Sequence, residues 1–429
     1  MTNERMTVSR PEDILGYIPH VLGIRPEESL VAMTMQGKAL GATLRVDLPV
    51  DLAPRRLAAY AERVSDYLTT DETADGVLLA VYAAAGWEDG SVAERYAPLL
   101  AHLEGAFEAD GLELRDAWLV GPEHWRGAFC DDPACCPWPG HPVERIRDSR
   151  LNAEMVFRGS SVADAVPPGD AGRFAGMSEP GLQEEEETAK DSLDGHWRDK
   201  AALDRMLDAW FAVLDRPGAT GRKRAVDAGS GAAVGKQAAG WLRASLCIPA
   251  WRDAVAVGAA AGKETACAGA EAFGFFRKGQ GKQLPLPAEL EALLGDGNAG
   301  DRQDRMPAKP RRSAASVLQA SVLKYGDVLL GLHPAVPDWT RLNALDALLE
   351  DLAARGGGEA RAAALTIRGW IHWCRGSGSM ADALLSQADA EQPGYRLAAL
   401  LTELVHRGTL NGWVKNRDAA WRRFGGAAA

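Results

Sequence analysis

Long apolar runs are missing from this chain. No stretch approaches the ~18 consecutive apolar residues a membrane span needs, and the opening Met1-Thr2-Asn3-Glu4-Arg5-Met6 lacks the apolar core of a signal peptide. These absences point to a cytoplasmic protein with no membrane partner. A basic excess is missing too: 48 Lys plus Arg face 59 Asp plus Glu, for a net charge of −11. That balance argues against nucleic acid as a partner, because phosphate binding draws on dense positive charge. The two short basic runs, Arg222-Lys223-Arg224 and Lys309-Pro310-Arg311-Arg312, read as solvated. Cysteine is scarce, six in 429 residues, and no CxxC pair occurs, so neither a disulfide framework nor a paired zinc knuckle is legible. Phosphate loops and dinucleotide fingerprints are also absent. Gly229-Ser-Gly-Ala-Ala-Val-Gly235 has suggestive glycine spacing but no apolar strand before it, and reads as a flexible loop.

What is present is an ordinary globular composition, 46% hydrophobic and 25% charged. At ~150 residues per domain the length implies two or three domains. Ser9, Pro11, Glu12 and Asp13 start a helix that Pro19 and Gly23 end, with its last turn near Tyr17. Two strands, 29–35 and 39–47, flank Gln36-Gly37-Lys38 as a β-hairpin. Helical spacing over 54–68 and 93–107 alternates with apolar runs at 76–82 and 112–121, the strand–helix–strand rhythm of parallel pairs. Asn152 to Arg158 reads as one more strand. The expected fold is therefore an α/β N-terminal domain over 1–170, a mixed sheet with a β-hairpin and βαβ crossovers.

The middle, 171–310, reads as partly disordered linkers with helical segments. Glu184-Glu185-Glu186-Glu187 is either a solvated run or the start of a helix; 198–214, 237–246 and 251–262 are helices; 279–309 is a linker or long loop. Residues 311–429 read as an α-helical domain, with helices at 314–325, 339–354, 359–374, 380–388 and 395–406. Gly369, Ala381, Leu385, Ala388 and Pro393 stand at the small and apolar positions of a single tetratricopeptide-like unit. An ordinary αα-hairpin with close-packed small residues explains the same pattern.

One stretch is dense in chemistry: Gly121-Pro-Glu-His-Trp-Arg-Gly-Ala-Phe-Cys130-Asp-Asp-Pro-Ala-Cys135-Cys136-Pro-Trp-Pro-Gly-His141-Pro142. It carries three of the six cysteines, two of the eight histidines and five prolines, and reads as a stiff non-helical loop after a sheet strand. Open α/β sheets place ligands beyond the carboxyl ends of their strands. Three readings follow. Cys130, Cys135, Cys136 and His141 supply thiolate and imidazole donors suited to zinc, although their spacing is not that of a knuckle. Alternatively one thiol is a nucleophile activated by His124 or His141, with Asp131 or Asp132 nearby. In the third reading the cysteines are packing residues that cap the sheet with Trp125 and Trp138. His20 and His372 read as structural histidines, and Cys247, Cys267 and Cys374 as small buried hydrophobes in helices.

Residues 11–31, the strand Leu44-Arg-Val-Asp-Leu48 and Cys135-Cys136-Pro137 resemble the actinobacterial domain-of-unknown-function family numbered 4192. So do Gly369, Trp370, Trp373, Gly376, Gly378, Ala381, Leu385, the run 393–398 and Leu400-Leu401 near the other end. The middle of the chain departs from that pattern. The resemblance implies a shared fold at the two ends and carries no reaction, cofactor or catalytic residue with it. Function is then open between two classes. The first is a non-catalytic interaction or regulatory protein that binds a protein partner through its C-terminal helices. The second is a metal- or thiol-dependent enzyme working at the Cys130, Cys135, Cys136 and His141 loop.

Overall fold

A computed structural model describes residues 10–157, 160, 162, 179–216, 234–274, 283–296, 324–416 and 418–421. Ser9, both basic runs, most of the 229–235 loop, much of the 279–309 segment and most of the 314–325 helix lie outside those residues. The chain divides into two units, Met1–Pro167 and Pro168–Trp421.

The first unit is built on a six-stranded mixed sheet of order β2-β1-β3-β4-β5-β6. Its strands are β1 (Ser29–Gln36), β2 (Ala39–Asp47), β3 (Gly76–Tyr82), β4 (Glu113–Val120), β5 (His124–Gly127) and β6 (His141–Pro142). The expected hairpin is present, with Ser29 opposite Asp47 and Gln36 opposite Ala39, and its turn uses Gly37 at φ 58. β1 also runs antiparallel to β3, while β3 and β4 are parallel, joined by α3 (Val92–Ala109). Side chains alternate across the sheet. Leu30, Ala32, Val77, Leu79, Val81 and Leu119 join Leu57, Val64, Leu99 and Phe107 of α2 (Pro54–Leu68) and α3 in one core. Val31, Met33, Leu78, Ala80 and Trp118 face the other way and meet Leu15 and Ile18 of α1 (Pro11–Leu22) and Ile146 of α4 (Glu144–Arg147). Burial on both faces is why β1 and β3 read as unbroken apolar runs.

Two expectations need correcting here. The first helix does not stop near Tyr17. It runs to Leu22 with Pro19 inside, because a proline in the last turn still offers its carbonyl, which accepts from the N–H of Gly23 at 2.7 Å, and Gly23 closes the helix at φ 82. The stretch from Asn152 is not a strand but α5 (Arg150–Phe157). Its buried residues, Leu151 and Met155, are four apart, a helical repeat rather than an alternation. The Ser149 hydroxyl accepts from the Asn152 N–H and the Asp13 carboxylate from the Leu151 N–H, so side chains cap the helix start.

The second unit is helical: α6 (Leu182–Leu193), α7 (Lys200–Leu214), α8 (Lys236–Leu246), α9 (Pro249–Ala261), α10 (Lys263–Ala272), α11 (Ala288–Asp296), α12 (Trp339–Ala354), α13 (Glu359–Cys374), α14 (Gly378–Glu391) and α15 (Arg396–His406). One continuous apolar core joins them, and α11, with Leu290 buried in it, stands where a linker or long loop was expected over 279–309. Trp210, Trp370 and Trp413 are fully buried, and their indole N–H groups donate to the Ser245 hydroxyl, the Leu329 carbonyl and the Pro334 carbonyl. The glutamate run lies in α6, not in a solvated linker, and Glu186 turns inward. Its carboxylate accepts from the buried Arg243 at 2.8 Å, while that guanidinium also donates to the carbonyls of Leu352, Gly356 and Gly357. The αα-hairpin expected from small residues is α13 with α14. At Gly369 a Cβ would stand 2.8 Å from the Leu385 side chain, so only glycine allows that approach.

Candidate functional site

β4 turns tightly at Gly121, whose N–H donates to the His124 carbonyl at 2.7 Å, and β5 returns antiparallel along it. Trp118 pairs with Gly127 and Val120 with Trp125; β6 then pairs with β5 through His124–Pro142 and Trp125–His141. The cysteine stretch, expected as one irregular loop, is therefore anchored at both ends by edge strands. Its excursion leaves the sheet at the level of Trp118, with the Ala128 N–H on the Ala117 carbonyl. The sulfurs thus lie at the sheet's edge rather than in the crevice beyond the strand ends.

Inside the excursion Asp132 builds a turn. Its carboxylate accepts from the Ala134 N–H at 2.8 Å, and its carbonyl accepts from the N–H groups of both Cys135 (3.1 Å) and Cys136 (2.7 Å). That turn lets two adjacent cysteines serve one place. The sulfurs of Cys130, Cys135 and Cys136 all lie within 4.8 Å of one another. Gly127 makes room beneath them: a Cβ there would stand 3.2 Å from Cys130 Cβ and 3.7 Å from Cys136 Sγ. Cys136 is buried, Cys130 half-buried and Cys135 exposed.

The opposite side of β5 carries a different set of groups. Arg126 donates to the Cys130 carbonyl at 3.0 Å and lies over the Trp138 ring at 5.5 Å; Trp138 in turn stacks on Trp87 at 6.3 Å. The loop therefore wraps the sheet edge, sulfurs on one side and aromatic rings on the other. Trp125 is buried in the core, whereas Trp138 is half exposed, so only the first caps the sheet from within.

The thiols differ in acidity. The Asp132 N–H and the neighbouring Cys136 and Cys135 thiols hydrogen-bond to Cys130 and hold it below the ordinary thiol value. Cys135, bonded to Cys130 and next to its charge, is pushed up to about 11. A bound cation would favour the thiolate form of the sulfurs that ligate it.

His141 stands apart from this group. It pairs across from Trp125, with ring centroids 5.0 Å apart, and its Nδ1 is 2.9 Å from the Arg145 guanidinium. Arginine has no acceptor, so Nδ1 must accept, and the neutral ring carries its proton on Nε2. Neither nitrogen is free to bind a metal in that state. His20 is also committed: its ring nitrogens lie 2.9 Å from Ser160 Oγ and 2.8 Å from Asn152 Oδ1, deep in the first unit.

One charged cluster escaped the sequence reading. On α12, Asp346 accepts from Arg368 (3.0 Å) and Arg375 (2.7 Å) of the next helix and its connection, with His372 at 3.5 Å; Asn343 accepts from Arg375 and from the Trp421 indole. Burial alone would raise the Asp346 carboxyl, but the His372 hydrogen bond and the Arg375 and Arg368 charges hold it well below the usual carboxylate range. Burial pushes His372 down, so the arginines carry the compensating charge. Its signal was available: Asn343 and Asp346 on one helix match Arg368, His372 and Arg375 at three- and four-residue spacing on the next. Its ion pairs and hydrogen bonds run between α12 and α13, so this cluster ties helices together.

Among the described residues no helix is long and apolar enough to cross a membrane. No curated protein and no solved structure matches the chain. A family model does match, over residues 11–272 and 337–410, so the middle of the chain departs from the family only over 273–336 and not from residue 171 as expected; the chain belongs to the domain-of-unknown-function family DUF4192.

Proposed function

We propose that the protein binds a thiophilic divalent ion, zinc in the first place, through Cys130, Cys135 and Cys136, and that the ion ties down the sheet edge of a non-catalytic interaction protein. The carrying observation is the convergence of three sulfurs within 4.8 Å. Tetrahedral zinc with bonds of about 2.3 Å sets its sulfurs about 3.8 Å apart, so the thiols need draw in by only about 1 Å. Soft thiolates select zinc or copper(I) over magnesium or calcium. His141 completes the set only if it leaves Arg145; otherwise water or an outside ligand takes the fourth position. In this reading the helical unit, with its α13–α14 hairpin, presents the surface for a protein partner.

One observation favours an enzymatic second reading: three protein donors leave one position open, the pattern of catalytic rather than structural zinc. Elemental analysis of the chelator-washed, zinc-reloaded full chain tests the first claim. About one zinc per chain is expected, falling at least tenfold in occupancy at limiting zinc in Cys135→Ser. Equal uptake by wild type and by Cys130→Ser, Cys135→Ser and Cys136→Ser would overturn it. Cobalt substitution separates the two readings. A spectrum that shifts when a small thiol is added supports an open position, and an inert spectrum supports a closed structural site.

A further inference from the structure

The same three sulfurs are placed for a second chemistry. Of residues 129–140 only Cys136 is buried, none joins either apolar cluster of the first unit, and Phe129 and Trp138 are exposed, so the Cys130 and Cys135 parts of this excursion can shift without opening a core. Closing two sulfurs from within 4.8 Å to the ~2.05 Å of a disulfide needs side-chain rotation and a small loop movement. The pair can be chosen on geometry. Cys135 and Cys136 are neighbours with Cα atoms held ~3.8 Å apart, closer than the ~4.4 Å at which ordinary disulfides begin. Cys130 must therefore be one partner. Cys136 is packed against the Gly127 side of β5 and is only 8% exposed, whereas Cys135 is open to solvent.

We infer that Cys130 and Cys135 are a reversible redox pair that hydroperoxides oxidise to a disulfide, and that closure of the pair discharges the metal. The second half rests on the proposed metal reading; the first half does not. The Cys130 thiolate attacks one peroxide oxygen, breaking the O–O bond to give a sulfenic acid and hydroxide. The Cys135 sulfur then attacks the sulfenic sulfur, and the departing hydroxide takes the thiol proton away as water. The first hydroxide takes up the proton that Cys130 released on ionising, so two thiols and one hydrogen peroxide become one disulfide and two waters, the sulfurs losing two electrons and the peroxide gaining them. A dithiol reverses the step by exchange.

The sequence supplies a convenient assay, because Cys130 is followed directly by Asp131 and Asp132. Cleavage on the amino side of aspartate separates Cys130 from Cys135 and Cys136, so a disulfide between them survives as a cross-linked peptide pair. The full chain, chelator-washed or zinc-loaded, is treated with hydrogen peroxide, alkylated and digested in this way. The expected result is the cross-link in wild type and in Cys136→Ser, its loss in Cys130→Ser and Cys135→Ser, its reversal by dithiothreitol, and release of zinc in step with it. Circular dichroism of each variant establishes that it is folded. Full alkylation of Cys130 and Cys135 after peroxide, or a cross-link that persists in Cys135→Ser, overturns the inference. A cross-link in a chain that never binds zinc overturns the metal reading and leaves the redox pair standing. Zinc bound without any cross-link does the reverse.

Discussion

The cysteines of the two units keep different company. In the helical unit Cys247, Cys267 and Cys374 stand singly. Burial pushes Cys247 up to about 12, Cys267 to about 11 and Cys374 well above the ordinary thiol value. Cys374 is fully buried and accepts a hydrogen bond from the Asn411 amide. At the sheet edge of the first unit three cysteines converge, and one is held below its ordinary value. The residue type is the same, but a low-dielectric surrounding disfavours thiolate and a cluster of donors favours it. The comparison extends to the polar groups. In the helical unit the buried Arg243 and Asp346 are held by several partners of opposite charge or polarity, whereas the edge thiols meet one another and the Asp132 N–H.

The largest expected effect tests that contrast directly. In the native, reduced, metal-free chain, alkylation at neutral pH should modify Cys130 at least about 10³-fold faster than Cys374, whose exposure requires opening of the core. Peptide mapping over time reads both rates, and comparable rates would erase the distinction between the two regions.

Next in size is Arg243→Ala, which leaves the buried Glu186 with Lys190 alone, at 2.7 Å, and removes the donor to three carbonyls; a loss of about 3 kcal/mol is expected. Urea denaturation followed by tryptophan fluorescence measures it. A change within about 0.5 kcal/mol would mean that the helical unit does not depend on this contact.

A smaller effect, of about 1.5–3 kcal/mol, is expected for Asp346→Asn. The folded carboxyl titrates below its unfolded value of ~3.9, so its contribution is present above that pH and is lost as pH falls through the folded value. His372 is displaced downward too, and it likewise withdraws stability as pH falls below ~6.5. Asp346→Asn should therefore be less stable than wild type at neutral pH and flatter in its acid limb. Parallel limbs would remove the assigned role of the pair.

The smallest change is Gly127→Ala, where a methyl meets Cys130 Cβ at 3.2 Å and costs about 1 kcal/mol. Because the strain falls under the sulfurs, zinc affinity should drop while the helical unit's unfolding is unmoved.

Much of the architecture was legible in the chain. Period-2 and period-3.6 patterns placed β1, β2, β3, β4 and most helices within a few residues, and the 359–374 helix at its observed ends. The end of α1 was misread for a local reason, the Pro19 carbonyl bonded to Gly23, but three other misreadings trace to distant contacts. Glu186 looks like one of four solvated acids until Arg243 arrives, 57 residues away, to hold it. Asn152 to Phe157 looks extended until Asp13 and Ser149 cap it as a helix. His141 sits beside the cysteines in sequence, yet pairing of β5 with β6 hands it to Trp125 and Arg145.

By itself the sequence determined the donors, three thiols within seven residues on a proline-stiffened excursion, and the layered α/β and helical classes of the two units. Those follow from residue chemistry and local periodicity, which act within a few bonds or turns. Tertiary structure alone decided which donors meet. Strand register set the sulfurs over Gly127 and left His141 aside, because a side chain's direction across a sheet is fixed by its pairing and not by its neighbours along the chain.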